Sequence, residues 1–117
     1  MKPFVKTLAA SSLLVLSLSS TPALAAKIGV TMSAFDDNFL TVLRNGMGKY
    51  AESQKDISLQ FEDAQGDVGK QLNQIQNFIA QKVDAIIVNA VDTDATPKMT
   101  KLASSAGIPL VYVNRMP

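Results

Sequence analysis

Ala85-Ile86-Ile87-Val88-Asn89 is an unbroken apolar run closed by an amide. A strand with one wet face alternates apolar and polar residues; a run without alternation suits a central strand of a parallel sheet, buried on both faces. Parallel neighbours need crossover connections, so helical patterns must flank this stretch. They do. Upstream, residues 68–81 place Val68, Leu72, Ile75 and Ile79 at i, i+4, i+7 and i+11, a helical stripe. Downstream, Asp92-Thr93-Asp94 offers capping side chains for a helix over residues 95–105, and Gly107 stands where helices stop.

The same alternation extends outward. Lys27-Ile28-Gly29-Val30-Thr31-Met32 reads as a strand. Asp36-Asp37-Asn38 then precedes a helix over residues 39–54, with apolar Phe39, Val42, Leu43, Met47 and Tyr50. Ile57-Ser58-Leu59-Gln60-Phe61 alternates strictly, which suits a strand near a sheet edge. Residues 62–67 form a polar loop containing Gly66. Ile108-Pro109-Leu110-Val111-Tyr112-Val113 reads as a fourth strand, with Pro109 near its start, where a missing N–H is tolerated. The order β-α-β-α-β-α-β predicts an α/β fold, a parallel sheet with helices on both faces and right-handed crossovers.

Residues 1–25 read as an export signal outside this fold. Lys2 and Lys6 make a positive start, residues 8–18 are apolar, and Ala23 and Ala25 form an A-x-A pattern, placing the cut after Ala25. The apolar run is shorter than the about 20 residues that span a bilayer. Removing 25 of the 117 residues leaves 92, with 9 basic against 10 acidic side chains. The expectation is one small domain in the periplasm, with no direct membrane insertion and no global charge signal for nucleic acid. The chain stops at Asn114-Arg115-Met116-Pro117, directly after a strand with no helix to cover it. The expected organisation is therefore a signal over 1–25 and a truncated, partial lobe over 26–117. Histidine, cysteine and tryptophan are absent. The usual zinc, haem, thiol and Ser-His-Asp chemistries are excluded, and no catalytic residue, metal or cofactor is expected.

In open parallel sheets, ligands bind beyond the carboxyl ends of the strands. Those points carry Ser33-Ala34-Phe35-Asp36-Asp37-Asn38-Phe39, Glu62-Asp63-Ala64-Gln65-Gly66-Asp67, Asn89-Ala90-Val91-Asp92-Thr93-Asp94 and Asn114-Arg115. The mixture suits a polyol: carboxylates accept from hydroxyls, amides do both, and a guanidinium donates in a fork. An aromatic ring can lie against the apolar C–H face of a sugar. The candidate contacts are Ser33, Phe35, Asp37, Phe39, Asn89, Asn114 and Arg115. Each also has a structural reading. Asp36 and Asp37 can cap the first helix, Phe39 can join its core stripe, and Asn89 can satisfy loop amides. Asp63, Asp67, Asp92 and Asp94 read as turn and cap residues. Arg115 wants a partner at the top of an apolar strand.

Taken together, Ile28-Gly29-Val30-Thr31, Phe35-Asp36-Asp37-Asn38-Phe39, the 62–67 loop, Asp84-Ala85-Ile86-Ile87-Val88-Asn89, Asp92, Gly107-Ile108-Pro109 and Val113-Asn114-Arg115 resemble type I periplasmic sugar-binding proteins. These are substrate-capture subunits of ABC transporters. The resemblance covers essentially all of residues 27–117. It implies an incomplete N-terminal lobe of the periplasmic-binding-protein type I fold, and ligand closed between two hinged lobes. It implies that Asp37 bonds a sugar hydroxyl, that Phe39 stacks on the sugar face and that Asn89 touches the sugar. Galactose and glucose binders share Asp36-Asp37-Asn38-Phe39 but carry Tyr where Ser33 stands. Ribose binders carry Ser there, Asn at the position of Asp37, and a sugar-contacting Asp-Arg where this chain has Asn114-Arg115. Residues 35–47, Asp92-Thr93-Asp94-Ala95 and Val113-Asn114-Arg115 are most similar to inositol- and rhizopine-type binders.

The expected function is periplasmic capture of a monosaccharide or polyol for ABC-transporter uptake, through an ABC permease that docks the full-length protein. The alternatives are a binding protein reporting to a chemoreceptor, or a truncated form without function. A nucleotide-binding enzyme would want a glycine-rich loop after the first strand, and residues 33–39 contain no glycine. Adjacent Asp36 and Asp37 are poorly placed to flank one glycosidic bond. A sugar-responsive repressor would need a DNA-binding motif where the export signal stands.

Overall fold

The computed structural model describes residues 25–117. The expected export signal lies, apart from Ala25, outside the described residues. Four strands and three helices alternate: β1 (Ala26–Met32), α1 (Asn38–Ser53), β2 (Ile57–Asp63), α2 (Val68–Ala80), β3 (Ala85–Val88), α3 (Thr96–Ser105) and β4 (Leu110–Tyr112). The sheet order is β2-β1-β3-β4, and every pairing is parallel. Val30 lies between Phe61 on one side and Ile87 on the other. β2 lies at the edge, as its alternation predicts.

Helices cover both faces. α2 and α3 pack on one, where Ile75, Phe78, Ile86, Val88, Met99 and Ala103 form a core. α1 packs on the other, where Leu40 joins Val30 and Met32, flanked by Leu43, Met47, Leu59 and Phe61. Each of the first two helices starts on an aspartate cap. Asp37 accepts from the Leu40 N–H and Asp67 from the Lys70 N–H, which satisfies orphan donors of the first turn. The predicted third helix begins one residue later, at Thr96, because Thr93–Ala95 is a short 3₁₀ turn held by Asp92, whose side chain accepts from the Asp94 N–H. Gly107, at φ +70°, ends it as expected.

Two helix faces differ from their apolar stripes. In α1, Phe39, Val42 and Tyr50 are exposed, and the helix seats itself on Leu40, Leu43, Met47 and Ala51. In α2 the buried residues are Gln71, Gln74, Ile75 and Phe78; Val68, Leu72 and Ile79 are only half-buried. The cause lies in β1. A Cβ built on Gly29 would stand 2.4 Å from the Phe78 Cγ, so the bare glycine backbone receives the ring face-on. Seating Phe78 there turns the two glutamines inward.

Candidate functional site

β1 feeds α1 on one face, whereas β3 feeds α3 on the other. The loops leaving these neighbouring strands run to opposite faces, so the carboxyl ends of β1 and β3 mark the position where open parallel sheets hold ligands. The residues there are joined beneath the surface by amides. Ser33 donates to Asn89 Oδ1 through its backbone N–H at 3.1 Å and its hydroxyl at 2.6 Å. Asn89 Nδ2 donates to the Val113 carbonyl at 3.3 Å, reaching the end of β4. Gln71 Nε2 donates to Thr31 Oγ1 and to the Asn89 carbonyl, while Gln71 Oε1 accepts from the Val91 N–H. The Thr31 hydroxyl donates to Gln74 Oε1, and Gln74 Nε2 donates to the Asp63 carbonyl at the end of β2. All four strand ends are thereby tied to one another. Among the described residues, no buried side-chain nitrogen or oxygen lacks a partner, which the energetics of buried polar groups demand.

Above this floor stand the predicted contacts. Asp37 is exposed; its Oδ1 accepts from the Leu40 N–H at 2.9 Å, leaving the second carboxylate oxygen for another donor. Asp36, weighed as the cap of α1, does not cap it. Phe39 sits in the first turn of α1 and is 61% exposed. Phe39 thus takes no part in the core among the described residues. Phe35 is half-buried against the α1 core, and the Arg44 guanidinium lies 3.9 Å from its ring centroid, covering one face. Ser33 is nearly buried, with its hydroxyl proton committed to Asn89. Asn89 is fully buried, and its amide serves the ends of β1 and β4. That is the structural reading weighed for it, and its side chain is fully buried among the described residues.

Arg115 returns toward the 89–91 segment because of Asn114. Asn114 has φ +65°, and the Arg115 N–H donates to the Val113 carbonyl across it, making a three-residue turn. Asn tolerates this left-handed conformation better than other side chains except Gly. Arg115 Nη1 then donates to the carbonyls of Ala90 and Val91 at 3.1 and 3.2 Å. Among the described residues its other guanidinium nitrogens make no hydrogen bond, so they are available as donors. Between the loops after β1 and β2 lies an open depression of about 500 Å³ lined by Ala34, Phe35, Asp36, Asp63, Gln65 and Gly66.

Sequence reasoning missed Thr31, Gln71 and Gln74. The available signal was Gly29. A glycine inside an apolar strand marks close approach of another element, and the residues of α2 in phase with the ring that fills it are Gln71, Gln74 and Ile75. Among the described residues, no cluster of three or more carboxylates, histidines or cysteines could hold a metal. No described helix is long and apolar enough to cross a membrane. Chemically, the surface offers a carboxylate acceptor, guanidinium donors and an exposed aromatic face. Such groups are chemically complementary to a ring bearing several hydroxyls.

Comparison with known proteins points the same way. Residues 28–117 match the periplasmic binding protein domain family. A Rhizobium meliloti protein named for rhizopine binding is 58% identical over 117 residues, all of this chain and 36% of the relative. The D-galactose/methyl-galactoside binding periplasmic protein of Haemophilus influenzae is 34% identical over 91 residues, 78% of this chain and 28% of the relative. The solved structure of an ABC transporter solute binding protein from Bacillus halodurans, with bound myo-inositol, superposes with a TM-score of 0.76 at 39% identity, covering 80% of this chain and 32% of that one. The chain thus spans about a third of the length of these relatives.

Proposed function

The chain belongs to the periplasmic binding protein domain family, and from that premise we propose that it contributes one wall of a site capturing a monosaccharide or cyclic polyol for ABC-transporter uptake. The observation that carries the reading is Phe39. A phenyl ring 61% exposed at the start of a helix, next to the Asp37 carboxylate, is costly in water and useful against the C–H face of a ring. Asp37 and Arg115 supply acceptors and donors for its hydroxyls. The Rhizobium relative and the myo-inositol complex favour an inositol-like cyclic polyol over a hexose. Ser33 at the position of a hexose binder's Tyr favours the same choice.

Capture is binding, without a chemical step on the ligand. The export signal would be cut after Ala25, and the receiving partner would be a membrane permease that reads the ligand-closed form. Calorimetric titration of the protein expressed in its own host, with myo-inositol, D-galactose and D-ribose, tests the proposal. The expected result is heat of binding with myo-inositol, strongly reduced in Phe39→Ala. Absence of heat with all three would overturn it. N-terminal sequencing of the same preparation should begin at Ala26.

A further inference from the structure

We propose that Gln71 is a positioning residue for the ligand site, fixing the Arg115 guanidinium through the turn at residues 89–91. The inference rests on the reading of the strand ends as a polyol site. Gln71 belongs to α2, is completely buried and touches no surface that a ligand could reach. Its amide nonetheless grips the turn at two points. Nε2 donates to the Asn89 carbonyl at 2.9 Å, and Oε1 accepts from the Val91 N–H at 2.9 Å. A third bond, from Nε2 to Thr31 Oγ1 at 3.1 Å, locks the amide's orientation against β1. From above, Arg115 Nη1 holds the carbonyls of Ala90 and Val91. The turn is therefore clamped between a neutral amide below and a guanidinium above. Arg115 has no carboxylate partner among the described hydrogen bonds, so these two carbonyls set where its free nitrogens point.

Without the amide, the buried Asn89 carbonyl and the half-buried Val91 N–H would lose their partners, a state folded chains avoid. The turn would move toward water and carry the Ala90 and Val91 carbonyls with it. Arg115 would follow. Gln74 is the internal control. It is a nearly buried amide on the same helix and bonds Thr31 and the Asp63 carbonyl, but makes no bond to residues 89–91.

The test is a double-mutant cycle on the protein expressed in its own host, read by calorimetric titration with myo-inositol and by thermal melting. Gln71→Met and Arg115→Met are each expected to weaken binding by about tenfold or more, and the double variant to bind no more weakly than the worse single one. Gln74→Met should lower the melting temperature comparably, yet its effect on affinity should combine with that of Arg115→Met in full. A merely structural glutamine would give the same full combination at position 71. Full additivity of Gln71→Met with Arg115→Met, or unchanged affinity in Gln71→Met, overturns the proposal. If the wild-type protein binds none of myo-inositol, D-galactose and D-ribose, the reading of the site fails first and the proposal falls with it.

Discussion

Asp37 performs two tasks with one carboxylate, and they can be separated. Its Oδ1 caps α1 through the Leu40 N–H, an interaction worth about 1 kcal/mol. Asp37→Ala should lower stability by about that amount and also weaken polyol binding. Asp37→Asn retains the capping oxygen, so its melting temperature should stay close to wild type while calorimetric affinity still falls, because a carboxylate acceptor has become a donor. Phe39→Ala is the complementary case. The ring is 61% exposed, so melting should shift by less than about 0.5 kcal/mol equivalent, with the loss confined to binding. Asn114 tests backbone geometry. Asn114→Gly keeps the left-handed turn open. Asn114→Val should cost about 1–3 kcal/mol and displace Arg115, visible as weaker binding in Val than in Gly.

At the scale of elements, the Phe78 ring of α2 rests on one glycine of β1. Gly29→Ala would drive a methyl into the Phe78 ring, 2.4 Å away. Overpacking of this kind destabilises by about 1–3 kcal/mol. Chemical denaturation should show that loss, and Phe78→Leu in the same background should recover part of it. The helices themselves were legible: residues 39–54 and 68–81 were expected, and Asn38–Ser53 and Val68–Ala80 form. Their faces were not. Counting apolar side chains assigns Phe39, Val42 and Tyr50 to the interior of α1, because periodicity registers hydrophobicity and not what each residue will meet. It also rejects Gln71 and Gln74 from the interior of α2, because an amide's burial depends on partners in other elements, here Thr31, Asp63, Asn89 and Val91. That the candidate residues gather at the carboxyl ends of the strands was readable from topology alone. The inward turn of Asn89 and the Arg115 contact with the 89–91 turn depend on side-chain conformations that no spacing encodes.

For the molecule as a whole, α1 covers only part of its face of the sheet. Tyr50 is 63% exposed, Val42 71% and Val111 of β4 56%, and a small apolar groove runs among Ile28, Met47, Tyr50, Leu59 and Ile87. Apolar surface of this kind promotes association. The 92 residues after Ala25, prepared alone, should therefore sediment partly as oligomers. Tyr50→Lys with Val111→Lys should raise the monomer fraction in analytical ultracentrifugation without altering the circular dichroism of the fold. The opposite end of the sheet behaves differently. Thr31, Ser33, Gln71, Gln74 and Asn89 hold the strand termini together, and none of them ionises. Acid cannot titrate such a lattice, and dissolved ions have little charge there to screen. The spacing of the strand termini is therefore set by bonds that keep their geometry from dilute to briny and from sour to neutral, and any response of this end of the sheet to the medium falls to the charged side chains above it, Asp37 and Arg115.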